Sequence, residues 1–273
     1  MPAFDTINKL LTEDNVGELL LGGVSMTLKN FFLQYPRVSI AFSGGVDSAY
    51  LLYMAKQYAK EVQAYYVKSE FQPQFELDDA LRLAEKINVN LKILKVNILS
   101  VPFVGENSSN RCYYCKKAIF TKILETAKDE GFSILLDGTN ASDDADDRPG
   151  MKALHELSVF SPLRLCGLTK AEIRSLSKEA GLFTWNKPAY ACLATRIPTG
   201  ELITEEKLNT TEAAENLLFS LGFTDFRVRL QNGAAKIQLS EEEFPLLMQH
   251  RKTIIEKFKP YYSSVVLDLE VRE

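Results

Sequence analysis

The chain has 273 residues, 46% hydrophobic and 25% charged, the balance of a globular protein and not of a disordered tail, a fibrous repeat or a small disulfide scaffold. Its 32 basic and 36 acidic residues give a formal charge of −4. The basic excess of a chain built to hold nucleic-acid phosphates is missing, so nucleic acid is disfavoured as a partner.

In chain order, residues 4–33 read as helical, with Leu10, Leu11, Leu19 and Leu20 at helical spacing and Gly22-Gly23 as an interruption. A short β-forming run at 37–42 leads through a Ser-Gly-Gly turn into a helix over 46–60. Strands at 62–67 and 91–96 flank a helix over 74–87, and a helix over 112–129 precedes a strand at 134–137. Short apolar strands alternating with amphipathic helices indicate an open parallel α/β sheet. After about residue 200 the pattern changes to a helix over 204–220, a hairpin of 226–230 and 234–239 around Asn232-Gly233, a helical stretch over 241–258 and a last strand at 264–269. The expectation is a large domain over 1–200 and a smaller α+β domain over 201–273.

No stretch approaches the ~18 uninterrupted apolar residues of a membrane span, so no membrane partner is expected. The acidic residues Asp5, Glu13 and Asp14 sit where a signal peptide would carry basic ones. Four cysteines without a secretory signal suit a reducing compartment, and the cytoplasm is the expected location.

Ser43-Gly44-Gly45-Val46-Asp47-Ser48 lies between a strand and a helix. Its glycines permit a tight turn and close approach of phosphate, and the helix start offers free N–H groups and the positive dipole end. Ser43 and Ser48 can add hydroxyl donors, and Asp47 can hold Mg²⁺ or cap the helix. No Gly-Lys-Ser/Thr follows, which excludes a Walker loop. The string resembles the SGGxDS loop of PP-loop ATP pyrophosphatases, which implies ATP cleaved between its α and β phosphates.

The strand at 134–137 runs into Asp137-Gly138-Thr139-Asn140-Ala141-Ser142-Asp143-Asp144, with Arg148 just beyond. Both strand ends belong at the ligand edge of a parallel sheet. Gly138 and Thr139 are candidates to border the nucleotide, and Asp143 or Asp144 to help with Mg²⁺. Arg148 and Arg164 are candidates to brace phosphate. An ordinary solvated loop is the competing reading.

Cys112 and Cys115 form a CxxC at a helix start, and Cys192 follows far downstream. With only two histidines in the chain, three cysteines fit a structural zinc site poorly. They fit an iron–sulfur cluster with one open iron, or a Cys192 nucleophile supported by the CxxC. Cys166 stands in an apolar run and reads as core.

Taken together, SGGVDSAYLL at 43–52, RCYYCKK at 111–117, DGTNASDDADDRPG at 137–150, SPL at 161–163 and WNKPAYACLATRIPTG at 185–200 resemble the LarE family. These are ATP-dependent sulfur transferases of nickel-pincer nucleotide synthesis. The resemblance implies an adenine-nucleotide α-hydrolase-like fold, with ATP and Mg²⁺ activating the carboxylates of pyridinium-3,5-biscarboxylic acid mononucleotide for conversion to thiocarboxylates. It implies two sulfur routes. In one, Cys192 forms a thioester and gives up its own sulfur. In the other, Cys112, Cys115 and Cys192 hold a 4Fe–4S cluster that carries extra sulfide. Three cysteines point to the cluster route.

The resemblance further implies that Arg227 and Arg229 bind the substrate phosphate, with Arg196 also on the substrate. Glu215 matches a family carboxylate, whereas Gln238 stands where another is expected, so no metal is assigned in that domain. Family precedent implies a homo-oligomer, with a hexamer as the form. Competing functions are thiolation of a tRNA base, an amide-forming adenylating synthetase, and a nucleotide-binding module without chemistry.

Overall fold

The computed structural model describes residues 26–143 and 149–270. Of the helix expected over 4–33, the described part is α1, Leu28–Gln34, capped by the Thr27 hydroxyl; residues 4–25, with Gly22 and Gly23, lie outside the described residues.

The larger sheet contains β1 (Arg37–Ala41), β2 (Glu61–Lys68), β3 (Leu91–Lys95) and β4 (Leu135–Leu136), in the order β3-β2-β1-β4. β1 pairs in parallel with β2 on one side and β4 on the other. Val38, Ser39 and Ile40 of β1 and Ala64 to Val67 of β2 are buried, as expected of parallel strands covered on both faces. The α/β expectation therefore holds. β1 and β4 are spatial neighbours but far apart in the chain, so the strand order reverses between them. That reversal opens a crevice at the carboxyl ends of the strands.

Helix α2 (Val46–Tyr58) leaves β1 through the phosphate loop and buries Val46, Ser48, Ala49, Tyr50, Leu51, Leu52 and Ala55. Helix α3 spans Gln74–Lys86 and α4 spans Arg111–Asp129. Three helices absent from the sequence reading follow β4: α5 (Pro149–Glu156), α6 (Pro162–Leu165) and α7 (Lys170–Glu179). α7 begins with a capping box, in which Thr169 and Glu172 satisfy each other's backbone N–H groups.

The second sheet has the order β5-β6-β7 and is mixed. β5 (Phe226–Gln231) and β6 (Ala234–Leu239) form the expected hairpin. Asn232 and Gly233 have φ of 50° and 79°, the two positive values of a type I′ turn. β7 (Val265–Leu267) adds in parallel to β6. Helices α8 (Glu205–Ser220) and α9 (Phe244–Phe258) close over one apolar cluster that includes Leu218, Phe226, Val228, Ile237, Leu239, Ile254 and Phe258.

The chain forms two compact units that interleave in sequence. The first takes the chain up to Val67, then Asp78–Leu94 and Ile119–Lys187. The second takes Lys68–Leu77, Lys95–Ala118 and the chain from Pro188 onward. The long connections that follow β2 and β3 thus join the C-terminal part, whereas the division expected at residue 200 follows chain order.

Candidate active site

In the first unit, Gly44 has a φ of 76°, which turns the chain sharply between β1 and α2. The Ser43 and Ser48 hydroxyls lie 3.0 Å apart. The Ser43 N–H donates to Ser48 Oγ at 3.3 Å, and Ser48 Oγ donates to the Gly45 carbonyl at 3.2 Å. Gly45 is the N-cap of α2 and receives no side-chain cap, so the first N–H groups of the helix are left for an anion.

The loop after β4 meets this loop directly. A Cβ on Gly138 would stand 2.8 Å from the Ser48 backbone nitrogen, so only glycine fits. Thr139 Oγ1 donates to Asp137 Oδ2 at 2.5 Å, and Ser161 Oγ donates to Asp137 Oδ1 at 2.6 Å. Asp143 Oδ2 accepts from the Asn140 N–H at 3.0 Å, which ties this carboxylate to its own turn. Arg164 Nη1 donates to the Asp143 carbonyl at 3.0 Å. Asp144 and Arg148 lie outside the described residues.

Asp47 accepts an ion pair from Lys170 at 2.5 Å. Its second oxygen, Oδ1, is buried without a hydrogen-bond partner among the described residues. Lys170 escaped the sequence reading. The Thr-Lys-Ala-Glu string shows a helix start, but nothing local shows that the ammonium reaches a carboxylate 123 residues away.

The second unit gathers Cys112, Cys115 and Cys192. Arg111, unassigned in the sequence reading, is the clasp. Its Nη1 donates to Asn107 Oδ1 at 2.5 Å and to the Ala194 carbonyl at 3.1 Å, and its Nη2 lies 3.7 Å from Cys112 Sγ. Asn107, fully buried with a φ of 55°, donates through Nδ2 to the carbonyls of Ile197 (3.2 Å) and Pro198 (2.8 Å). The start of α4 and the segment bearing Cys192 are held together by these bonds.

Burial pushes the Cys115 thiol up to about 12, reinforced by Cys192 and Cys112 and opposed by Arg111 and Lys116. Cys192 is also raised by burial, with Arg111 and Arg196 pulling it back. Cys112 is exposed. Cys166 belongs to the first unit, where burial alone pushes it up to about 11.

The arginines expected to contact substrate are drawn into the protein. Arg196 pairs through Nε with Glu215 Oε1 at 2.9 Å and through Nη2 with Oε2 at 3.2 Å. Its Nη1 donates to the Ala191 carbonyl and to Thr195 Oγ1, each at 2.8 Å. Glu215 also accepts from Tyr190 Oη and from the Val228 N–H at 3.0 Å. The Tyr190 ring lies 4.4 Å from the Arg196 guanidinium and 4.7 Å from that of Arg227. Arg227, also buried, donates to the Phe226 and Ala189 carbonyls. Arg229 donates to Gln238 Oε1 and the Thr195 carbonyl, each at 2.5 Å.

A family model described as queuosine biosynthesis protein QueC matches residues 37–110, which contain the phosphate loop. The pyridinium-3,5-bisthiocarboxylic acid mononucleotide synthase of Lactiplantibacillus plantarum is 36% identical over 207 residues, 75% of this chain and 75% of its own length. The chain belongs to the LarE family. Its members are ATP-dependent sulfurtransferases. An uncharacterized Synechocystis protein is 35% identical over 250 residues, 89% of this chain and 92% of its own length, so the likeness takes in the β5–β6 hairpin. A tRNA-specific 2-thiouridylase MnmA of Thermotoga petrophila is 25% identical over 193 residues, 55% of this chain and 54% of its own. Among the described residues no helix is long and apolar enough to cross a membrane.

Proposed function

We propose that this LarE-family chain converts the carboxylates of pyridinium-3,5-biscarboxylic acid mononucleotide to thiocarboxylates, with sulfur delivered through the three-cysteine site. The observation that carries the sulfur route is the Arg111 clasp, which bonds Asn107, Ala194 and Cys112 at once. It holds the CxxC against the segment of Cys192.

The reaction begins at the phosphate loop. A substrate carboxylate oxygen attacks the α-phosphorus of ATP and the bond to pyrophosphate breaks, leaving an acyl adenylate. The N–H groups at the start of α2, with Ser43 and Ser48, stabilise the charge that gathers on the leaving group. Mg²⁺, when bound, neutralises phosphate charge. Asp47 suits it through Oδ1, which has no hydrogen-bond partner among the described residues, since this ion is held by one or two carboxylates plus substrate phosphates. Sulfur then attacks the acyl carbon, and AMP leaves with the electron pair of the broken C–O bond.

The donor set in the second unit is three thiols without histidine or carboxylate. A single ion needs its sulfurs gathered about one point at ~2.3 Å, and no group of three His, Cys, Asp or Glu among the described residues offers that. A cluster takes each thiolate on a different iron, and the three cysteines suit it. Such a group supplies an open iron to carry sulfide. Burial raises both Cys115 and Cys192 above the ordinary thiol value, a cost that falls on a thiolate nucleophile and that the positive charge of a bound metal would offset for a thiolate ligand. We assign Arg196 and Glu215 to holding the Cys192 segment in place, and Arg227 and Arg229, both of which also donate to backbone carbonyls, to the substrate phosphate.

The test is anaerobic reconstitution with iron and sulfide, followed by turnover with ATP and the dicarboxylate. About four irons per chain, lost in Cys112→Ala, support the cluster route. An iron-free protein whose Cys192 becomes dehydroalanine during turnover replaces it with the sacrificial route. Thiolation of a tRNA base is the second reading, favoured by the likeness to MnmA and opposed by the net charge of −4. Salt-dependent tRNA binding would favour it.

A further inference from the structure

Lys170 is the first residue of α7, and two bonds fix its place. Its backbone N–H donates to Ser142 Oγ at 3.0 Å, which pins the helix start to the turn after β4. Its ammonium reaches across to Asp47 Oδ2 at 2.5 Å. The pair is open to solvent, with side chains 36% and 20% exposed, so it is weak and can be exchanged. Asp47 nevertheless keeps Oδ1 buried and without a hydrogen-bond partner among the described residues. One carboxylate at the mouth of a phosphate loop therefore has one oxygen held by a cation and another waiting for one.

We propose that Lys170 is a positioning residue that acts as an exchangeable counter-ion. It holds Asp47 until a polyphosphate arrives, then passes to the phosphate oxygens and leaves the carboxylate to a divalent cation. An ammonium and a divalent cation repel each other and compete for Asp47, so the metal binds poorly to the nucleotide-free loop. A polyphosphate draws the ammonium away and removes both penalties. Metal and nucleotide then enter as a coupled pair, and the coupling is reciprocal. A loop with Asp47 already free would instead take metal first and gain less from it when phosphate comes. The inference rests on the nucleotide reading of the loop and is independent of the carboxylate substrate and of the sulfur source.

The experiment measures Mn²⁺ binding by electron paramagnetic resonance and calorimetry on the full chain, with and without inorganic pyrophosphate. Wild type, Lys170→Gln, Lys170→Arg and Asp47→Asn are compared. Lys170→Gln is expected to raise the Mn²⁺ affinity of the pyrophosphate-free protein about tenfold, and to shrink by a similar factor the enhancement that pyrophosphate produces. Lys170→Arg keeps the cation and should resemble wild type, which separates loss of charge from damage to the fold. Asp47→Asn should remove the site. Unchanged or weakened Mn²⁺ binding in Lys170→Gln overturns the exchange. Failure of wild type to bind pyrophosphate overturns the nucleotide reading of the loop, and the exchange with it.

Discussion

Each unit carries an ion pair beside its working residues, and the two are built to opposite ends. In the second unit Arg196 and Glu215 have side chains 0% and 2% exposed. Each nitrogen of the guanidinium donates to Glu215, to a backbone carbonyl or to Thr195. Two charges so deeply desolvated are stable only with each other, and the network they anchor takes in Ala191, Cys192 and β5. In the first unit the Lys170–Asp47 pair keeps contact with water. The sulfur-bearing segment needs a fixed scaffold, whereas a loop that admits and releases a polyanion needs charges that can change partners.

Cys192→Ala gives the largest expected effect and separates the units chemically. Thiocarboxylate formation should be abolished, while pyrophosphate release from ATP in the presence of the dicarboxylate continues at a measurable rate. Product mass spectrometry beside a pyrophosphate assay reads both. Loss of both activities together would show that the two units do not divide the chemistry in this way.

Next come the pairs themselves. Arg196→Met leaves Glu215 charged in the interior and should cost about 3–5 kcal/mol of unfolding free energy. Lys170→Gln should cost less than about 1 kcal/mol. Denaturant midpoints measure both, and equal costs would erase the distinction. Gly138→Ala tests the first unit from its backbone side. The new methyl would collide with the Ser48 nitrogen, and a displacement of that order lowers the rate by roughly 100-fold. Pyrophosphate release should fall accordingly, with sulfur loading of the second unit untouched.

How far each unit was legible follows from the same contrast. The phosphate loop is six consecutive residues whose chemistry is local, so string, strand and helix could be read together. The hairpin was legible because Asn-Gly encodes its own turn. In the α5–α7 region α6 has only four residues, too few to show a period, whereas α7 carries a start signal of its own in the Thr169 and Glu172 of its capping box. At the thiol site the residue types were visible, but the clasp was not. Arg111 and Ala194 are 83 residues apart, and Asn107 acts through an unusual backbone angle and a buried amide that no periodicity announces. Arg196, Arg227 and Arg229 stood out as charges, yet their burial and their carbonyl partners depend on packing across several elements.

The smallest effect separates a thiol among thiols from a thiol alone. Cys115 is raised by burial and also by Cys192 and Cys112, whereas Cys166 is raised by burial only. From an ordinary value of 9.0 they move to about 12 and about 11. The folded protein thus retains protons that the unfolded chain gives up near pH 9. Stability from these thiols is complete below that pH and is lost as pH rises, until about 11 for Cys166 and about 12 for Cys115. Alkylation follows the thiolate, so each cysteine of the metal-free protein should react faster with rising pH, Cys115 at a higher pH than Cys166. Peptide mass spectrometry across a pH series reads them separately. In Cys192→Ala the Cys115 profile should move to lower pH, because one repelling neighbour is gone, while the Cys166 profile stays in place. Equal movement of both would mean that general loosening, and not thiol–thiol repulsion, sets the difference between the two units.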